Sequence, residues 1–210
     1  MKLHGYFRSS ASYRVRIALN LKGLDAEHLS RHLRKGEQRD PAFLALNPQG
    51  MVPALQDDTG AVLTQSLAII ECLEETRPQP ALLPKDLLRR ARVRAFAQAL
   101  ACDTHPVQNL KVLARLRQLG LSEEQVTGWA AWANREGLAA CEALIAGESG
   151  PFCFGEAPTI ADLCLVPQLF NARRFGVEVS AYPRLLKAEA AAQAMKAFTD
   201  AAPDKQADAE

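Results

Sequence analysis

Four short runs in this chain bring together side chains that could do chemistry. The first is Arg8-Ser9-Ser10-Ala11-Ser12-Tyr13-Arg14. Three hydroxyls precede an apolar-periodic stretch, where they can cap a helix or, with free backbone N–H groups, stabilise an anion. No acid or base of a hydrolase triad is recognisable nearby and the Gly-x-Ser-x-Gly elbow is absent, so Ser9 reads as a hydrogen-bond donor and not as a nucleophile. The second run is Val52-Pro53, a proline within a strand-like stretch. Proline donates nothing to a ladder, so it belongs at a sheet edge or in a cis turn, and the cis form would turn the Val52 backbone outward. Third is Gln65-Ser66, opening an amphipathic stretch. Ser66 is either a plain N-cap or part of a carboxylate site, in which helix N–H groups and the Gln65 amide donate. The fourth is Cys102 to Asn109, where Pro106 should kink a helix, and His105 and Asn109 at i, i+4 would share one face of a cleft wall. A lone histidine is also a common satisfied structural residue, and that reading stays open.

These runs need a frame. Residues 1–76 mix strand and helix signals: strand Leu3–Phe7, helix Val15–Leu21 stopped at Gly23, and a weaker strand Glu27–Leu33. Then come a brief helix Pro41–Leu46, strand Val52–Gln56, a turn at Asp57–Gly60, strand Ala61–Thr64, and a helix from Ser66 with Leu67, Ile70 and Leu73 on one face. The order is β-α-β-α-β-β-α. Residues 77–86 hold three prolines and read as a linker. Beyond it the pattern is helical. One helix carries Leu88, Ala91, Ala95, Phe96, Ala99 and Leu100 at helical spacing. Another opens on a capping box, Ser122 with Gln125, and its inner face is expected to hold Trp129, Trp132, Ala133, Cys141, Leu144 and Ile145. Thr159 and Asp162 repeat the cap signature. Residues 201–210, small and polar, are expected to be disordered.

Bulk properties exclude several classes. The 210 residues suit one large domain or two small ones, with ordinary hydrophobic (48%) and charged (23%) content. Lys plus Arg (25) balance Asp plus Glu (24), so no excess positive field favours nucleic acid. No signal-peptide core and no stretch of roughly 20 apolar residues occurs, which points to a cytoplasmic protein away from the membrane. The five cysteines lack a C-x-x-C pair and the four histidines lack zinc spacing, so buried reduced thiols and no metal are expected.

Taken together, FRSSASYRVRIALNLKG, LNPQGMVPAL, QSLAIIECLEETRP, ALLPKD, TIADLCLVPQLFNARRF and a later YP resemble the zeta class of glutathione transferases, which includes maleylacetoacetate and maleylpyruvate isomerases. The resemblance covers nearly the whole chain. It implies an α/β thioredoxin-like N-terminal domain (1–80) that binds glutathione and an all-α C-terminal domain (87–200), assembled as a homodimer. Ser9 matches the thiolate-stabilising serine, with Ser10 beside it. Val52 before Pro53 matches the backbone that pairs with the cysteinyl unit of glutathione. Gln65 and Ser66 match the binders of its γ-glutamyl carboxylate, and Gln38, His105 and Asn109 align with further contacts. Arg8 and Arg174 correspond to arginines that hold substrate carboxylates. The family often has Cys after the two serines, whereas this chain has Ala11, so a mechanism needing that thiol is closed.

The activity this implies is cis–trans isomerisation of a maleyl keto acid, a dicarboxylate, to its fumaryl form in aromatic or tyrosine catabolism, with glutathione regenerated. One rival is a transferase that conjugates glutathione or dehalogenates small α-halo acids on the same site. Another is a non-catalytic interaction module, which would need none of Ser9, Val52-Pro53 and Gln65-Ser66.

Overall fold

A computed structural model describes residues 1–210. The chain forms two units, Met1–Leu82 with Gln193–Glu210, and Leu83–Ala192. The first contains β1 (Lys2–Gly5), α1 (Ser10–Lys22), β2 (Glu27–Ser30), α2 (Pro41–Leu46), β3 (Ala54–Gln56), β4 (Val62–Thr64) and α3 (Ser66–Thr76). The sheet order is β2-β1-β3-β4; β1 and β2 run parallel, while β3 is antiparallel to both β1 and β4. This is the thioredoxin-like arrangement, in the expected element order. Strand ends are shorter than periodicity suggests: β1 stops at Gly5, before the hydroxyl run, and β2 stops at Ser30.

Local chemistry explains the helices of this unit. Ser9 caps α1 by accepting from the Ser12 N–H, and Gly23 ends the helix at φ 63°, a left-handed conformation that costs glycine little. Val15, Ile17, Ala18 and Leu19 of α1 are buried, as are Ile69, Ile70 and Leu73 of α3. Leu67, expected on that inner face, is only half-buried, and Ile69 takes its place. A buried ion pair closes the unit. Lys22 Nζ lies 2.5 Å from Glu74 Oε2 and also donates to the carbonyls of Arg77 and Pro80, while Glu74 accepts from the Leu82 N–H. The proline-rich segment is therefore anchored at its start.

The second unit is helical: α4 (Leu87–Gln98), α5 (Leu110–Gln118), α6 (Glu123–Leu144), α7 (Ile160–Arg174) and α8 (Pro183–Gln193). Both expected capping boxes form, Ser122 with Gln125 and Thr159 with Asp162. Buried on nearly all sides, α7 is the unit's central helix. Asp162 at its start accepts from the N–H groups of Thr159 and Cys153. Burial nevertheless pushes its carboxyl up, above the ordinary carboxylate range.

Several expected faces are corrected. On α4 the buried residues are Val93, Phe96 and Ala97, with Leu100 just beyond, while Leu88, Ala91 and Ala95 are exposed. On α6, Trp129, Trp132 and Leu144 are exposed, and Val126, Ala130, Ala133, Asn134, Leu138 and Cys141 face inward. Three of the five cysteines are buried as expected, but Cys72 is half-buried and Cys102 exposed. Burial drives the Cys141 thiol up to about 12, leaving it inert.

Residues 201–210, expected to be disordered, are structured. They follow α9 (Lys196–Thr199) in the first unit, bury Ala201 and Pro203, and form a 3-10 turn at Pro203–Lys205.

Candidate functional site

The N-terminus of α1 is built to receive negative charge. Ser9 donates its N–H to the Tyr6 carbonyl at 3.0 Å, and its Oγ accepts from the Ser12 N–H at 3.2 Å. That cap leaves the Ser9 hydroxyl proton for another acceptor. No acidic residue occupies the first turn to neutralise the helix dipole. Ser10 is buried and Ala11 half-buried beside it. Arg8 is not a freely solvated surface arginine: its guanidinium donates to the Tyr6 hydroxyl at 3.2 Å and lies 5.1 Å from the Phe7 ring centroid.

A second such terminus opens α3. Gln65 adopts φ 68°, rare for a residue with a side chain, and its amide donates to Gln49 Oε1 at 2.9 Å. Ser66, 6% exposed, accepts at 3.3 Å from the Arg14 guanidinium, itself 1% exposed. Arg14 lies in the first hydroxyl run but carries no role in the sequence reading. It sets a buried cation beside helix N–H donors, a donor set that fits a carboxylate.

Between these termini, in sequence, the Val52-Pro53 bond is cis, which resolves the alternatives left open above. Ladder pairing of β3 begins at Ala54, so the Val52 main chain stands outside it. Gln38 sits in a 3-10 turn, Glu37–Arg39, with its Oε1 buried and without a hydrogen-bond partner. Gly50, at φ 59°, lets the Asn47–Gly50 turn close on that segment, since a Cβ there would come within 2.9 Å of the Gln38 carbonyl. An orphaned buried acceptor, a main-chain segment outside the ladder and two anion-seeking helix ends suit a short acidic peptide such as glutathione.

In the helical unit the Pro106 region differs from expectation. The helix does not continue through a kink. It passes into a π-turn (Ala99–Thr104), and Pro106 then starts a 3-10 turn ending at Gln108. His105 and Asn109 therefore do not share one helix face. Asn109 is instead the N-cap of α5, its Oδ1 accepting from the Val112 N–H, which leaves its amide N–H groups to donate elsewhere. Arg174, the last residue of α7, donates to Asn171 Oδ1 at 3.0 Å, and Asn171 Nδ2 donates to Gln108 Oε1 at 2.7 Å. A buried amide pair thus ties Arg174 to the turn between His105 and Asn109. Sequence reasoning missed Gln108 and Asn171; their only signal is that two amides occupy positions a core would give to apolar residues.

Comparison with known proteins identifies the family. Residues 8–76 match the glutathione S-transferase N-terminal domain and residues 135–187 its C-terminal domain. Maleylacetoacetate isomerase of Pseudomonas aeruginosa is 55% identical, covering 99% of this chain and 98% of that protein. The holo structure of a maleylpyruvate isomerase, described as a bacterial zeta-class glutathione S-transferase, matches at 47% identity and TM-score 0.97 over the whole of both chains. Maleylacetoacetate isomerase of Methylobacterium extorquens, solved with malonate and glutathione bound, is 43% identical with TM-score 0.96, again over both whole chains. The sheet and the helical unit form the glutathione transferase fold. The chain belongs to the zeta class of that family, with the maleylacetoacetate and maleylpyruvate isomerases.

Proposed function

We propose that the protein is a glutathione-dependent isomerase that converts a maleyl keto acid, maleylacetoacetate or maleylpyruvate, to its fumaryl isomer in aromatic or tyrosine catabolism. The observation that carries this reading is the capped α1 terminus, where Ser9 keeps a hydroxyl proton to donate and Arg8 stands beside it. Relatives of matching length that bear these activities support it.

When bound, glutathione supplies a thiolate that is both nucleophile and leaving group, the chemistry by which a cis double bond becomes free to rotate and then re-forms. The chain's residues do the rest. Gln65 and Ser66 at the start of α3, with Arg14 of α1 against Ser66, hold the γ-glutamyl carboxylate, Val52 offers its main chain to the peptide, and Gln38 adds a further contact; His105 and Asn109 of the helical unit are further contacts implied by the family resemblance. Ser9 donates to the sulfur, and Ser10 supports it. A thiol with pKa near 8.5 is only about 3% thiolate at pH 7, and lowering it by roughly two units raises that fraction about 25-fold. This is less than about 2 kcal/mol, small beside the barriers enzymes lower. Orienting the substrate and stabilising the charge that develops on its carbonyl must contribute more. Arg8 and Arg174 suit both tasks, because charge-assisted hydrogen bonds contribute roughly 1.5–3 kcal/mol each.

No helix is long and apolar enough to cross a membrane. A homodimer fits the exposed Leu87 and Leu88 of α4, apolar side chains that a second copy could cover.

Counting turnovers per glutathione tests the reading. An isomerase converts many equivalents of substrate with a substoichiometric amount of glutathione and leaves the free thiol undiminished. Conversion that stops at one equivalent, with sulfur retained in the product, would make the protein a conjugating or dehalogenating transferase instead.

A further inference from the structure

Residues 6–9 link β1 to α1 and deliver Arg8 and Ser9. The Tyr6 and Phe7 side chains are buried, but a cavity of about 270 Å³ lies against the link, bordered by Gly5, Tyr6, Arg16, His28 and Asp208. The link's main chain is held by hydrogen bonds, one of them from far along the chain. The Phe7 N–H donates to Asp208 Oδ2 at 3.1 Å, across 201 positions of sequence, and the same oxygen accepts from Ser30 Oγ at 2.8 Å. On the carbonyl side, Arg16 donates to Phe7 O at 3.0 Å, to Tyr6 O at 3.5 Å and to Ala201 O at 2.9 Å. Arg16 is 4% exposed, and burial pulls its guanidinium down only to about 10, so it remains charged at neutral pH. Glu210 meets His32 just beyond β2. Both polar groups of Phe7, one residue before Arg8, are thus gripped by two charged side chains, and both grips lead into residues 201–210.

We propose that residues 201–210 form a strap that sets the position of the Arg8–Ser9 link, with Asp208 as its positioning residue. The proposal rests on the reading that Ser9 donates to the glutathione thiolate. A main-chain N–H must find a partner. Without Asp208 the Phe7 N–H turns to water, the link gains freedom over the cavity, and the Ser9 hydroxyl is no longer held at one distance from the sulfur. Displacements of about 1 Å at a reacting centre can cost about a hundredfold in rate.

The test uses the full chain with glutathione bound, and compares Asp208→Ala, Asp208→Asn and Ser9→Ala by kcat, by KM for glutathione, and by titration of the bound thiolate through its ultraviolet absorbance. In Asp208→Ala, kcat should fall about tenfold, the thiol pKa should rise toward the free value near 8.5, and KM for glutathione should change little. Asp208→Asn keeps an acceptor oxygen for Phe7 and should restore both kcat and the titration. Wild-type kcat and titration in Asp208→Ala, with a shifted titration in Ser9→Ala, would overturn the strap alone. A wild-type titration in Ser9→Ala would overturn the underlying reading and the strap's catalytic role with it. Should Asp208→Ala fail to fold, Ser30→Ala at an exposed position removes one of the two bonds to the same oxygen. A smaller shift in the same direction then supports the strap, and a wild-type titration overturns it.

Discussion

Ser9 has two roles to lose, and they can be separated. As the N-cap of α1 it accepts from the Ser12 N–H, so Ser9→Ala should cost about 1 kcal/mol of stability, read as a shifted denaturation midpoint. As the thiolate donor it should also cost roughly tenfold in kcat/KM, with the bound thiol titrating at higher pH. Wild-type turnover with only the stability loss would leave Ser9 a cap and nothing more. Arg174→Ala should raise KM for the diacid substrate about tenfold or more while KM for glutathione stays near wild type. Equal effects on both would place Arg174 away from the substrate. At this scale much of the candidate site was legible, because Ser9, Gln65-Ser66 and Val52-Pro53 are marked by boundary chemistry that a linear sequence displays. Arg14, Gln108 and Asn171 were not. Their roles depend on partners 52 to 63 positions away, and no local spacing encodes those contacts.

Among the elements, the helices of the second unit show what periodicity leaves open. Both Leu88-Ala91-Ala95 and Val93-Phe96-Leu100 recur at three or four residues, so spacing alone cannot decide which stripe faces inward. In α6 the sequence pattern predicts Trp129 and Trp132 on the inner face. The buried stripe instead runs through Val126, Ala130, Ala133, Asn134, Leu138 and Cys141, and its small members permit a backbone approach that indoles would block. Trp129 is left at the surface, donating its Nε1–H to the Val107 carbonyl at 2.9 Å. Gly137 marks the closest approach: a Cβ there would fall 2.0 Å from Thr104 Oγ1, next to His105. Gly128, on an exposed stretch of the same helix, would place its Cβ in open space. The same substitution should therefore have opposite signs. Gly137→Ala should destabilise by about 1–3 kcal/mol through overpacking, and Gly128→Ala should stabilise by up to about 1 kcal/mol through helix propensity. Urea midpoints at unchanged m would check both, and destabilisation of equal size at the two sites would contradict the close approach. Capping boxes were the most readable features of all, since both partners lie three residues apart.

For the whole molecule, a net charge near zero supplies no excess positive field to attract a nucleic acid. The least legible part was the chain's last ten residues. Their composition suggests disorder, yet Arg16 and Phe7 hold them against the sheet through contacts that composition cannot register. Isomerase activity turns on catalytic use of glutathione. The decisive measurement follows the ultraviolet absorbance of maleylpyruvate and of maleylacetoacetate, each with and without glutathione. An isomerase should consume the cis substrate only when glutathione is present, with the ratio of kcat/KM values naming the preferred keto acid. Glutathione binding with no isomerisation of either substrate would contradict that activity.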